Sequence, residues 1–139
     1  ADCYFEELRQ DFEGAYYGMY FLELADYCTR ENNDEREVLK LLYQSLRALT
    51  VKSIPRRLVR CIYEIRLIVA NGEFPGLPQG NFSETALYAV EFIAGTPVEK
   101  LYTFTLKEEV LAELVQIAEK YRRDFLPGEF HTLEILETL

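Results

Sequence analysis

Five basic residues, Lys52, Arg56, Arg57, Arg60 and Arg66, crowd into one short stretch of a chain whose net charge is −9. A guanidinium is a planar fork of donors that grips a carboxylate through paired bonds. The chemistry such a cluster can do is to hold an acidic group. Arg56 and Arg60 are four apart and share one face of a helix, Arg57 lies one step round, and Lys52 precedes the helix start. Val59 and Tyr63 flank this face. The expectation is an arginine-rimmed apolar groove suited to an acidic segment with an aromatic end, the candidate partner-binding residues being Lys52, Arg56, Arg57, Val59, Arg60 and Tyr63. The competing reading is that the arginines balance acids of the two preceding helices. A second basic set, Lys120, Arg122 and Arg123, falls in the last turn of its helix, where it complements the helix dipole.

Residues for covalent or metal chemistry are sparse. The single histidine, His131, follows Pro127-Gly128. The chain has no CxxC, HExxH or ExxH spacing, so no metal is expected. Gly72, Gly76 and Gly80 are interleaved with prolines and do not form a phosphate-cradling loop. Glu23 and Glu64 are the two acids embedded in apolar runs, and either could be a buried partner for Arg60 or Arg66. Glu64 stands four residues after Arg60, which makes that pair a local one. Cys3, Cys28 and Cys61 are odd in number and far apart, as in reduced thiols of a cytosolic protein. No enzymatic activity and no cofactor are expected.

The elements that must position these residues read as helices. Hydrophobic residues make up 49% of 139 residues, enough for one domain with one core. No apolar run is long enough to span a bilayer. The stretch Ser53–Gly80 is the organising one. Ser53 is placed as an N-cap and Pro55 in the first turn. Leu58, Val59, Ile62, Ile65, Leu67, Ile68 and Val69 cover more than one face, so neighbours are expected to pack around this helix until Asn71-Gly72 ends it. A first helix is predicted over residues 3–28, with Phe5, Leu8, Phe12, Ala15, Met19 and Leu22 as its apolar face, widened by Tyr16, Tyr20, Leu24 and Tyr27. Gly14 and Gly18, four apart, predict either close approach of a neighbour or a mild kink.

A polar loop over Thr29–Asn33 leads to an Asp34–Glu37 cap and a second helix to Leu49, striped by Leu39, Leu42, Leu46 and Leu49. After an irregular loop over Gly72–Asn81, Ser83 caps a helix over residues 84–94 with Leu87, Val90 and Ile93 or Ala94 inward. Thr96-Pro97 starts a short turn. Thr105-Leu-Lys-Glu108 reads as a capping box opening a helix over residues 106–125. Leu126-Pro127-Gly128 ends that helix, and residues 132–139 read as a short closing one. The fold class is an all-α bundle of five or six helices.

Several of these stretches resemble the C-terminal region of bacterial RecO (recombination protein O). They are Tyr16-Tyr-Gly-Met-Tyr-Phe-Leu-Glu-Leu-Ala-Asp26, the run Leu58–Leu67 followed by Asn71-Gly-Glu-Phe-Pro75, Val98–Leu106, and His131-Thr-Leu-Glu-Ile-Leu136. The resemblance implies a DNA repair and recombination protein that works with RecR, anneals strands and helps load RecA onto DNA coated by single-stranded-DNA-binding protein. It also implies an N-terminal OB-fold, through which DNA would be met, and the chain reads as a helical domain, residues 1–139, that begins after it. The family's helical domain receives the acidic, Pro-Phe-ended tail of single-stranded-DNA-binding protein, which suits the Arg56/Arg57/Arg60 groove. Many members carry a four-cysteine zinc module after the Gly-aromatic-x-Pro loop. Here Leu77-Pro-Gln-Gly-Asn-Phe82 has no cysteine, so zinc is not expected. The alternative function is a packing domain that supports the adjacent OB-fold and has no partner of its own.

Overall fold

The third helix is wrapped by its neighbours. In this computed structural model, which describes residues 2–30 and 35–138 (with side chains omitted at residues 2–8 and 30), α3 spans Arg56–Ala70 and packs against four other helices. These are α1 (Asp2–Arg30), α2 (Glu35–Ala48), α4 (Glu84–Gly95) and α5 (Glu108–Phe125). A 3-10 turn, Val98–Lys100, follows α4, and α6 (His131–Thr138) returns to lie on α1. The described residues contain no strand, and the fold is the expected all-α bundle. The Asp34–Glu37 cap, residues 31–33, Leu139 and the side chains of Cys3, Phe5 and Leu8 lie outside the described residues.

Helix α3 is apolar on most of its circumference, and Leu58, Val59, Ile62, Tyr63, Ile65, Leu67 and Ile68 are all fully buried. Ser53 does not cap it. Pro55 is the N-cap, and its carbonyl accepts from the Leu58 and Val59 amides at 2.9 and 3.1 Å. A residue before proline is kept out of helical dihedrals, so Ile54 cannot join the helix. The other end is a Schellman turn. The Gly72 amide donates to Val69 O and the Glu73 amide to Ile68 O, with Gly72 at φ +74°. Gly72→Ala forces a Cβ into that left-handed conformation and is expected to cost about 1 kcal/mol in urea denaturation.

Helix α1 corrects the predicted apolar face. Phe12, Met19 and Leu22 are 65%, 49% and 52% exposed, and Ala15 between them is exposed too. The buried face is Tyr20, Phe21, Leu24, Ala25 and Cys28, with Tyr17 beside it. That set recurs at i, i+3, i+4 and i+7, the broad stripe a helix needs when it serves several neighbours. Only one of the two glycines marks close approach. A Cβ on Gly14 would stand 2.8 Å from Arg56 Nη2, whereas one on Gly18 would meet Leu46 of α2 at an ordinary contact distance of 3.6 Å. On α2 itself, Leu39 and Tyr43 turn outward, while Val38, Leu41, Leu42, Ser45 and Ala48 are buried.

The expected capping box at Thr105–Glu108 does not form. Helix α5 begins at Glu108, with Lys107 as an N-cap that makes no side-chain bond. Tyr102 and Thr103 belong to a turn and a bend after the 3-10 helix, and the chain stays non-helical to Lys107, with Tyr102, Phe104 and Leu106 half-buried against exposed Thr103, Thr105 and Lys107. Phe104 meets Phe92 edge-on at 5.1 Å, and the Tyr102 and Ser45 hydroxyls are hydrogen-bonded to each other at 2.5 Å. These contacts outweigh one cap bond. Glu108 and Glu109 then start α5 where a helix dipole favours acids. Ser83 caps α4 as expected, accepting from the Ala86 amide, while its own amide and hydroxyl donate to Glu113 of α5.

Candidate partner-binding site

A cleft of about 710 Å³ opens where α1, the α2–α3 link and the start of α3 meet. Its apolar lining is Tyr17, Leu49, Val51, Ile54, Pro55 and Leu136, of which Leu49 and Leu136 are buried, and its cations are Lys52, Arg56 and Arg57. Asp11 and Glu13 stand on the α1 wall. Proline at the N-cap sets where α3 begins, and this places Arg56 and Arg57 in its first turn beside the cleft.

The cations differ in what they are free to do. Arg56 is committed to backbone: Nε donates to Leu49 O at 3.3 Å and Nη1 to Gln10 O. The absent side chain of Gly14 gives the guanidinium its place. Arg56 therefore ties α1 to the α2–α3 link and fixes the cleft's shape. Lys52 and Arg57 are exposed, and no carboxylate among the described residues pairs with either. They are the cations left for a ligand.

Arg60 leaves the cleft. Its Nε donates to Glu64 Oε2 at 3.2 Å, as the i, i+4 spacing predicts, and its guanidinium lies 5.3 Å over the Tyr20 ring. The same Glu64 oxygen accepts from Tyr20 Oη and lies 3.6 Å from Arg122 Nε. Burial alone would push the Arg60 guanidinium down, but Glu64 outweighs it and holds Arg60 firmly protonated. Burial, reinforced by Glu64, pushes the Tyr20 phenol up, so it stays a donor. Arg57 and Arg60 line a second, smaller pocket of about 320 Å³ with Cys61, Glu64, Glu119 and Glu137.

Val59 and Tyr63 are not groove residues. Both are fully buried; Tyr63 stacks on Phe21 at 4.2 Å between centroids, and its hydroxyl donates to Phe21 O at 2.5 Å. A helix buried on nearly every side has no apolar flank to spare for a ligand. Arg66 also stands apart: its Nη1 donates to Ile93 O at 2.9 Å and Thr96 O at 2.5 Å and so closes the end of α4. Of the second basic set, Lys120 pairs with Asp124 and Arg123 with Glu119 on the surface, whereas Arg122 turns inward to Glu64.

Glu23 meets neither Arg60 nor Arg66. It reaches the start of α6 and accepts from the His131 and Thr132 amides at 3.3 and 3.2 Å and from Thr132 Oγ1. Partial burial pushes this carboxyl up, but the Thr132 and His131 bonds outweigh it and leave it below the usual carboxylate range. The sequence reading missed the cleft's apolar surface, because Tyr17, Leu49, Ile54 and Leu136 come from three separate parts of the chain. Gly14 was the available signal for the Arg56 seat.

The family model for Recombination protein O C terminal matches residues 9–80, more than half of the chain and all of α3. The chain belongs to this family. No curated protein and no solved structure matches it. The match makes this RecO C-terminal domain a recombination- and repair-related one, and it covers the cations of the cleft together with its α1 wall. Leu136 and all of α5 and α6 lie beyond it. The loop that carries zinc in many members does not fit the metal in this RecO domain. Its residues offer no cysteine, and Phe74 packs edge-on to Tyr121 at 6.2 Å while Tyr121 Oη donates to Gly76 O at 2.6 Å. Among the described residues, no three of His, Cys, Asp and Glu gather as a metal site. No helix of the described residues is long and apolar enough to cross a membrane.

Proposed function

We propose that this recombination and repair domain is a non-enzymatic interaction module that receives the acidic, Pro-Phe-ended tail of single-stranded-DNA-binding protein. Lys52 and Arg57 engage the tail's carboxylates. Tyr17, Leu49, Ile54 and Leu136 receive its aromatic end, and Arg56 holds the cleft in shape. The observation that carries the reading is the pair of unengaged cations beside an apolar surface. Asp11 and Glu13 on the opposite wall turn an acidic segment toward the Lys52–Arg57 side. The whole protein then acts in the cytoplasm with RecR, meeting DNA through an OB-fold, in strand annealing and RecA loading.

A labelled acidic peptide ending in Pro-Phe is titrated by fluorescence at low and moderate salt. Micromolar binding corresponds to about −8 kcal/mol, which a few charge-assisted bonds and one buried ring can supply. Binding should weaken as salt screens the exposed cations. Arg57→Glu should weaken it by about tenfold or more, since a like charge replaces an attractive one. A folded domain that binds no peptide sinks the reading. One observation favours the alternative, a packing domain for an adjacent OB-fold: the apolar stripe Phe12, Ala15, Met19 and Leu22 stands uncovered on α1.

A further inference from the structure

Among the described residues, five of the eight exposed large hydrophobic side chains lie on two neighbouring helices: Phe12, Met19 and Leu22 on α1, and Leu39 and Tyr43 on α2. Helical spacing joins them into one face. Gly18 faces Leu46, so this side of α1 looks toward α2. Leu22 lies one turn beyond Gly18, while Tyr43 and Leu39 lie one and two turns before Leu46. These three therefore border the seam between the helices. Met19 and Phe12, seven apart, form the outer row of α1. Apolar side chains grouped in this way, unlike single scattered ones, mark a contact surface.

The charges around the face say what covers it. Between residues 10 and 29, α1 carries no Lys or Arg, and Asp26 is exposed one turn beyond Leu22. The outer side of α2 is basic. Arg36 is exposed one turn before Leu39, Arg47 one turn after Tyr43, and Lys40 between them. The Arg47 guanidinium lies 5.7 Å over the Tyr43 ring, which sets its charge on the apolar patch itself. A two-fold contact between identical chains uses one patch twice, so that patch must complement itself. This one does so when α1 of each copy lies on α2 of the other. The acidic helix then meets the basic one, whereas α1 on α1 would set acid against acid. The short connection over residues 31–34 makes the two helices antiparallel neighbours. Gly18 and Leu46 share a level, so Leu22 shares one with Tyr43, and Asp26 shares one with Leu39, beside Arg36.

We infer that the α1–α2 face is a two-fold contact between copies of this chain, with Leu22 of each copy on Tyr43 of the other and Asp26 toward Arg36. The face is about 21 Å long, the 14 residues of α2 at about 1.5 Å each, and two helices wide. That is small for a permanent pair, so the dimer is reversible and forms with rising concentration. The contact stands apart from the peptide cleft, and neither reading depends on the other.

The test is sedimentation velocity of the full chain from low micromolar to near-millimolar concentration, with circular dichroism to show that each variant is folded. The parent should move from monomer to dimer across the range. Leu22→Glu and Tyr43→Glu should each weaken association by about tenfold or more, because the two-fold buries the new charge twice. Tyr88→Glu, exposed on α4, should leave it unchanged. Asp26→Arg and Arg36→Asp should each associate more weakly than the parent, and an equal mixture of the two should regain the parent's affinity, since every arginine then faces an acid. A chain that stays monomeric throughout, its face then left to an adjacent domain or another protein, overturns the inference. Dimers unchanged in Leu22→Glu and Tyr43→Glu also overturn it, as does a mixture no more associated than its two components.

Discussion

Glu64→Ala should lower the free energy of unfolding by about 3–5 kcal/mol, the usual result of removing one member of a buried charge pair. The carboxylate is 3% exposed and is the meeting point of Tyr20 from α1, Arg60 from its own helix and Arg122 from α5. Alanine leaves a buried phenol without its acceptor and two sheltered guanidiniums without their acid. Each of those losses is a desolvation cost no longer offset. Glu64→Gln retains an acceptor for Tyr20 and should fall between the two proteins. Replacing Glu64 and Arg122 together by leucine and methionine should cost less than Glu64→Ala alone, since no charge is then stranded on α5. Urea denaturation of the three variants measures the series. A Glu64→Ala protein within about 1 kcal/mol of the parent would mean that water reaches the cluster and supplies what the carboxylate does.

Phe21→Ala and Phe12→Ala should differ by nearly the whole range that a single truncation can show. Phe21 has no exposed surface, stacks on Tyr63 of α3 and touches the rings of Tyr17 and Tyr20. Its removal deletes a ring from the α1–α3 contact and leaves a cavity between helices that cannot close on it. The expected loss is about 3–5 kcal/mol. Domains of this size are stable by only about 5–15 kcal/mol, so the variant should be partly unfolded at modest denaturant. Phe12 lies on the same helix, nine residues earlier, with most of its surface in water. Its truncation should change stability by no more than about 0.5 kcal/mol. Thermal and urea melts of the two variants, side by side, decide the matter. A large loss at Phe12 and a small one at Phe21 would return α1 to the orientation that its alternating three- and four-residue spacing first suggested.

That first suggestion shows what the sequence can and cannot say. Helix α3 was legible because its burial on nearly all sides leaves no orientation to choose. Gly72 and Ser83 were legible because a left-handed turn and an N-cap are local demands. Helix α1 carries two apolar stripes, and spacing alone ranks the narrow one first. The broad one wins because α2, α3 and α6 all press on it, and nothing local to α1 announces α6. The Thr105 box failed for a related reason: Tyr102, Phe104 and Leu106 alternate in burial, and their packing on remote residues keeps that segment out of the helix. At the cleft, the cations were visible in one stretch of sequence. Which of them had spare bonding capacity was not, because Arg56 spends its donors on Gln10 and Leu49 and Arg60 on Glu64.

The pairing of α1 with α6 also sets an order of events during synthesis. Glu23 and Thr132 are 109 positions apart. On a ribosome, α1 emerges before α6, and the helix that completes its aromatic face is then still unmade. The nascent chain can gather α2 through α5 around α3 in the meantime, since those contacts lie closer along the sequence. Closure over Tyr20 and Tyr27 by Phe130 comes late and depends on a long-range encounter, the kind that slows folding and prolongs exposure of sticky surface. The rings of α1 are therefore where a chaperone would find this chain while it is being made.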